Sequence, residues 1–362
     1  MKDILTDLAI QIQQVPAPTF EESARAEFVL EMFRQSGLSR PEIDSAGNAL
    51  ACIPGAGAAP PIVVSAHLDT VFPAGTNLAI RREPGRVYGP GIGDNATGVA
   101  GLLGLAAMLK ERKASLPGDL WLVANTCEEG LGDLRGMKAV CDRFGDAPRL
   151  YLVLEGMALG HVYHRAIGVR RYKITCRARG GHSWTDYGDP SAIHELARLV
   201  TGTSSLKLPE TPRTTFNVGR IAGGTSVNTL AAQAWLELDL RSENESALKD
   251  LIRQVETLVE NSNRPGVWFE AQVIGQRPAG ELNRNHPLVR HAENCLAAQG
   301  LKPKLTLGST DANIPISRGY PSIVLGLTTG GGAHTVDEYI ETAPLEQGAQ
   351  QLFNFISKAW SV

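Results

Sequence analysis

The chain of 362 residues is long for one domain and ample for two, and its 43% hydrophobic and 20% charged residues are the balance of an ordinary globular protein. A formal charge of −3 gives no whole-molecule attraction to nucleic acid or to an anionic membrane. Five cysteines with no C-x-x-C pair indicate neither a disulfide framework nor a thiolate metal site, and they fit a reducing cytoplasm.

From the N-terminus, Ile4, Leu5, Leu8, Ile12 and Val15 recur at helical spacing with polar residues between, which is the pattern of neither a signal peptide nor a membrane span. No other segment approaches ~18 consecutive apolar residues. Thr19 and Glu22 read as a capping box that opens a helix running to about Ser36, stopped by Gly37. "PPIVVSAHLDT" is a short β-branched strand ending in polar residues, and "GPGIGDNATGVAGLLGLAAMLKER" is a glycine-rich loop opening into a helix from about Ala96. Apolar strands follow at Leu120 to Ala124 and at Leu150 to Glu155. Strands of unbroken apolar residues alternating with helices predict an α/β fold with a mostly parallel sheet covered on both faces.

After Gly168 the pattern becomes strand (169–178), helix (190–201), strand (214–221), strand (233–240), helix (244–261) and strand (267–275), the βαββαβ order of a ferredoxin-like unit. The basic run Arg170 to Arg179 alternates as a strand does and reads as a solvated face. Beyond Pro278 the earlier style resumes, with a helix near 287–299, the strand "PSIVLGL" and a closing helix from about Leu345. The expected organisation is one α/β domain of residues 1–167 and 279–362, split by an inserted smaller domain of residues 168–278. The sheet edge of that inserted domain is one that two subunits could share.

Ligands of open α/β sheets bind beyond the carboxyl ends of the strands. There the sequence delivers His67 and Asp69, then Asp94, Glu128 and Glu129, Glu155, and His334. Each alone has a bland reading as a loop histidine, a helix-end charge or a surface acid. Together, two histidines and three or four carboxylates make a nitrogen and oxygen donor set that suits zinc, or manganese or cobalt, and exceeds one tetrahedral site. Two divalent metal ions are expected. Asp69, two residues after His67, is placed to fix the ligating imidazole. Of the adjacent Glu128 and Glu129, one binds metal while the other can take a proton from water.

The motifs "SAHLDTV", "GPGIGDNATG", "TCEEGLG", "LEG", "GSTDANI" and "GGGAHTVDEYI" resemble, in order and spacing over essentially the whole chain, those of the co-catalytic zinc exopeptidases of the aminoacylase, carboxypeptidase-G and peptidase-T superfamily. The resemblance implies that His67 and Glu155 bind one metal, Glu129 and His334 the other, and Asp94 bridges them. It makes Glu128 the general base and proton donor, with Asp69 supporting His67. In the inserted domain, His182 matches the histidine that stabilises the oxyanion, reaching across from the partner subunit in dimeric members. Asn228 and Arg241 match positions that hold the substrate's backbone or its carboxylate. The resemblance therefore implies a metal-binding catalytic domain and, where that family carries its lid, an inserted lid or dimerisation domain, in a homodimer acting on small peptides or N-acyl amino acids with no nucleic-acid or membrane partner. Glu155 is aspartate in the tripeptidase branch and glutamate in the carpoxypeptidase and deacylase branches, while Trp184 after "GGHS" is unusual. Two rival readings fit the motifs less well. A dinuclear phosphoesterase needs an Asp-x-His that this chain lacks, and a non-hydrolytic peptide-binding relative does not need the full ligand set and Glu128.

Overall fold

Alternation decides how the central sheet is built. Along the strand Ile62–His67, Ile62, Val64 and Ala66 enter one core while Val63 enters another. The same period of two separates Leu120, Leu122 and Ala124 from Trp121 and Val123, and Leu150, Leu152 and Leu154 from Tyr151 and Val153. Strands apolar on both faces need cover on both sides. The computed structural model, which describes residues Met1–Val362, supplies it. Helices Lys2–Gln13, Ser23–Gln35, Gly98–Glu111, Pro287–Ala297 and Leu345–Lys358 pack on one face, and Arg135–Phe144 and Asn313–Ser317 on the other.

The inner strands lie in the order Ala49–Ile53, Leu120–Asn125, Ile62–His67, Leu150–Glu155, Ser322–Gly326. The last four are mutually parallel and the first is antiparallel to its neighbour. Four parallel strands open their carboxyl ends on one edge, and that edge collects the polar residues singled out above.

Two expectations need correction. The segment Ile92–Glu111 is long and apolar enough, by length and composition, to cross a membrane; 89% of its most apolar window is buried inside the protein, as befits a core helix. The capping box at Thr19 and Glu22 does not form either. The helix begins at Ser23 with no side-chain cap, because the Thr19 hydroxyl and the Glu22 carboxylate are committed to tertiary partners described below.

The chain divides into two compact units, Met1–Ala166 with Glu281–Val362, and Ile167–Gly280. The second runs strand Gly168–Ala178, helix Ala192–Ser204, strands Thr214–Gly223 and Gln233–Ser242, helix Glu245–Asn261 and strand Val267–Arg277, all four strands antiparallel to their neighbours. Its helices cover one face of the sheet through Leu196, Leu199, Leu251 and Val255. On the other face two members of the basic run form ion pairs, Arg171 with Asp239 at 2.9 Å and Arg177 with Glu270 at 3.1 Å. Strand Thr214–Gly223 lies at the sheet's edge, and its second half is exposed.

Candidate metal centre

His67 ends its strand fully buried. Its Nδ1 lies 3.0 Å from the main-chain carbonyl of Asp69, which can only accept, so the neutral ring keeps its proton there and turns the Nε2 lone pair outward. Nε2 sits 3.0 Å from Asp94 Oδ1 and 3.8 Å from Glu155 Oε2. The other Asp94 oxygen lies 3.2 Å from His334 Nε2, which is in turn 3.0 Å from Glu129 Oε1. The structure therefore brings His67, Asp94 and Glu155 into one cluster and Asp94, Glu129 and His334 into a second, the ligand atoms of each lying within 4.8 Å of one another. One carboxylate serves both.

The electrostatics of these groups show what the site wants. Burial pushes the Glu155 carboxyl up, and the charges of Asp94 and Glu129 add to the push. Burial works against ionised Asp94 too, but two imidazoles outweigh it and hold that carboxyl well below its usual range. His334 is pushed up to about 10 by its bonds to Asp94 and Glu129. Three carboxylates gathered around two imidazoles thus draw in protons where nothing else balances them. Imidazole nitrogen and carboxylate oxygen in two three-donor sets fit divalent cations such as zinc. His67 and Glu155 with Asp94 would hold one, and Glu129 and His334 with Asp94 the other.

A pH prediction follows from His334. In chelator-stripped protein its ion pairs stabilise fully below about pH 6.5, and this contribution fades as pH rises through about 10. Metal uptake near pH 7 must displace that proton. Zinc titration of stripped protein in a weakly buffered indicator dye should release protons, and His334→Ala should release fewer.

The loops that carry these ligands are held by residues the sequence reading left unassigned. Glu338, four residues past His334 and wholly buried, accepts N–H bonds from Gly91 at 3.2 Å, Gly93 at 2.7 Å and Asp94 at 2.8 Å. Burial still pushes its carboxyl up to about 7 despite those three amides. Asn95 donates to the Leu154 carbonyl at 2.8 Å and accepts from Gly156 N–H at 2.9 Å, pinning the Asp94 loop to both sides of Glu155. The approach is close: a Cβ on Gly156 would stand 2.2 Å from the Gly93 carbonyl. Glu338→Ala leaves three buried amides unpaired. It should lower the unfolding free energy by about 2–4 kcal/mol, measured by urea denaturation of stripped protein, with Glu338→Gln losing less.

The glutamate pair sits on a turn of its own kind. Cys127 adopts φ 58°, rare for a residue with a side chain, and its N–H donates to Glu22 Oε1 at 3.0 Å. The next two amides both enter the Asp69 carboxylate, Glu128 N–H to Oδ1 and Glu129 N–H to Oδ2, each at 2.9 Å. Thr19 donates its hydroxyl to the same Oδ2 at 2.9 Å. The Asp69 carboxylate lies 3.6 Å from the His67 ring, so it orients the glutamate turn more directly than the imidazole, which its own main-chain carbonyl holds. Beneath it the buried Arg25 guanidinium donates to the carbonyls of Leu68 at 2.6 Å and Val15 at 2.7 Å, while burial pushes its pKa down to about 10. Asp311 of "GSTDANI" is also buried, pushed up to about 7 by that burial, and accepts from Asn125 Nδ2 at 2.7 Å.

His182, Asn228 and Arg241 lie in the second unit. His182 and Asn228 are brought together by paired short strands and by the Ser183 N–H bond to the Asn228 carbonyl at 3.1 Å. Arg241 is not with them. It pairs with Val169 at the start of the strand Gly168–Ala178, whereas His182 follows that strand's end, about 30 Å away at ~3.3 Å per residue. There it forms a half-exposed ion pair with Asp239.

An α/β sheet with two three-donor clusters sharing an aspartate at the carboxyl ends of its parallel strands defines a metallohydrolase class. The chain belongs to peptidase family M20/M25/M40, whose family model matches residues 63–358. It is 25% identical to the succinyl-diaminopimelate desuccinylase of Corynebacterium glutamicum across 98% of both chains. An acetylornithine deacetylase of Pectobacterium atrosepticum is 26% identical over 78% of this chain and 76% of its own. In fold it matches a tripeptidase from Staphylococcus aureus with a TM-score of 0.85 at 22% identity, covering 100% of this chain and 99% of that one. Aminopeptidase PepT from Bacillus cereus matches with a TM-score of 0.81 at 21% identity over 99% of each.

Proposed function

We propose that this protein uses two divalent cations, zinc in the first instance, to hydrolyse an amide bond next to a terminal amino acid in a free peptide or an N-acyl amino acid. The observation that carries the reading is the Asp94 carboxylate, with one oxygen 3.0 Å from His67 and the other 3.2 Å from His334. Relatives named as a desuccinylase and a deacetylase support amide hydrolysis. When bound, the cations supply Lewis acidity, bringing the pKa of water toward neutrality and polarising the scissile carbonyl.

The chain's own residues do the rest. Glu128 takes a proton from the attacking water on its carboxylate and returns it to the leaving amine. Asp69 fixes the position of that carboxylate through the two amides it holds. His182 accepts the Trp184 N–H on Nδ1 at 3.2 Å, so the neutral ring carries its proton on Nε2 and donates it to the oxyanion of the tetrahedral adduct. Asn228 binds the substrate's backbone, and Arg241 takes a carboxylate in a bidentate grip.

The separation of Arg241 from His182 within one unit supports a homodimer in which each site draws the two residues from different subunits. The exposed edge strand Thr214–Gly223 is a surface such a dimer can share. His182→Ala and Arg241→Ala proteins, each nearly inactive alone, should regain activity when mixed and allowed to exchange subunits. Five buried, unpaired cysteines support a reducing cytoplasm.

Mass spectrometry of products from one mixture of free tripeptides, N-blocked peptides and N-acyl amino acids tests the activity. Loss of the first residue from free peptides alone identifies an aminopeptidase. Cleavage of N-blocked compounds identifies a carboxypeptidase or deacylase. No product from metal-loaded protein would leave a peptide-binding relative.

A further inference from the structure

Seven residues other than glycine adopt a positive φ, and five of them, Phe20, Cys127, Asp133, Leu134 and His334, lie in the loops around the metal ligands. Phe20, at φ 79°, is the bulkiest of the five. Its N–H donates to Glu22 Oε1 at 3.0 Å, the oxygen that also takes the Cys127 N–H at 3.0 Å, and its neighbour Thr19 is bound to Asp69 and to the Thr70 carbonyl. Two nitrogens on one oxygen are at most about 6 Å apart, so the Phe20 main chain lies against the turn that carries Glu128. The residue still stands 51% exposed.

Arg135 lies over its ring. The guanidinium carbon is 5.0 Å from the ring centroid, reaching there from the first turn of the helix Arg135–Phe144. This arginine does nothing for its own helix, because a cation in the first turn opposes the helix dipole and no acidic residue stands there to offset it. Nor does it meet a carboxylate of the chain. Asp133, two residues before it, is paired with Lys138 at 2.9 Å, and Glu129 is turned to His334. A guanidinium laid on an aromatic ring engages one face and keeps the N–H donors of its plane, which match a carboxylate bidentately. Arg135 belongs to neither donor cluster and is exposed, so the group it can meet is a part of the substrate away from the scissile amide.

We propose that Arg135, laid on Phe20, is a specificity-determining residue that binds a substrate carboxylate distant from the scissile amide. This rests on the amide-hydrolase reading and narrows it to substrates bearing such a group in addition to the carboxylate assigned to Arg241. Phe20, Glu22, Cys127, Glu128 and Arg135 all lie in the unit that holds the metal ligands. Two sources share the chemistry, the acidic side chain of a peptide and the free end of a dicarboxylic acyl group on an amino acid.

The test compares kcat/KM on matched pairs with metal-loaded, full-length protein: a tripeptide ending in Glu or in Gln, and an N-glutaryl or N-pentanoyl amino acid. Wild type should favour the acidic member of at least one pair by about tenfold, and the pair that shows the preference identifies the source. The preference should shrink as sodium chloride is raised, since both charges are open to solvent. Arg135→Gln should bring the ratio close to one by slowing the acidic member, with Arg135→Lys keeping part of it, and the urea midpoint of each variant should match that of wild type. Absence of preference in wild type, or an Arg135→Gln loss shared equally by both members of a pair, overturns the assignment and leaves the hydrolase reading standing. Hydrolysis of no substrate at all overturns both.

Discussion

Glu128→Ala is expected to retain its metals and lose turnover by about 10²–10⁴-fold, the range a positioned general base contributes. Two features make the separation clean. Glu128 belongs to neither three-donor cluster, so its removal leaves His67, Asp94, Glu155, Glu129 and His334 in place. The bonds that shape its turn run through its main chain to Asp69 and through Cys127 to Glu22, so truncating the side chain does not cut them. Metal stoichiometry by plasma mass spectrometry, set beside single-turnover rates, checks the prediction. Joint loss of metal and activity would instead make Glu128 a ligand.

Asp94→Ala is the complementary case. Removing the shared carboxylate leaves His67 with Glu155 on one side and Glu129 with His334 on the other, two donors where a stable site takes at least three protein ligands. Both metals should be lost and activity with them, whereas His334→Ala should hold about one metal per chain, since the His67 cluster keeps its three donors. Equilibrium dialysis against zinc distinguishes the two variants. A protein that kept one metal after Asp94→Ala would show the clusters to be independent.

What the sequence made legible is what strand order and local chemistry determine. His67 and Glu155 end apolar strands and Glu129 and His334 follow them, and parallel strands must deliver these residues to one edge, so their meeting could be read from the order of elements. Residues that act through distant main chain were out of reach. Glu338 stands inside the quoted "GGGAHTVDEYI", yet its partners are amides some 245 positions earlier in the chain, and no pattern around it names them. Thr19 and Glu22 show a local pattern overruled by tertiary contacts. Their spacing satisfies a local helix cap, and the tertiary demand of Asp69 and Cys127 took both side chains instead. The helix Arg135–Phe144 follows a left-handed Leu134 rather than an ordinary capping residue, so no capping pattern announces it. Arg241 was legible as a residue but not as a position, since only the strand register places it at the opposite end of its sheet from His182.

The brace formed by Thr19, Glu22 and Arg25 bears on what counts as the working unit of this protein. Every cluster residue and both glutamates fall inside the stretch 63–358 that the family model recognises, while the three side chains that steady the glutamate turn come from before it. A fragment trimmed to that stretch would keep all the chemistry by inventory. It would also hand the Asp69 carboxylate, the Cys127 amide and the Leu68 carbonyl to solvent, and with them the fixed geometry on which proton transfer depends.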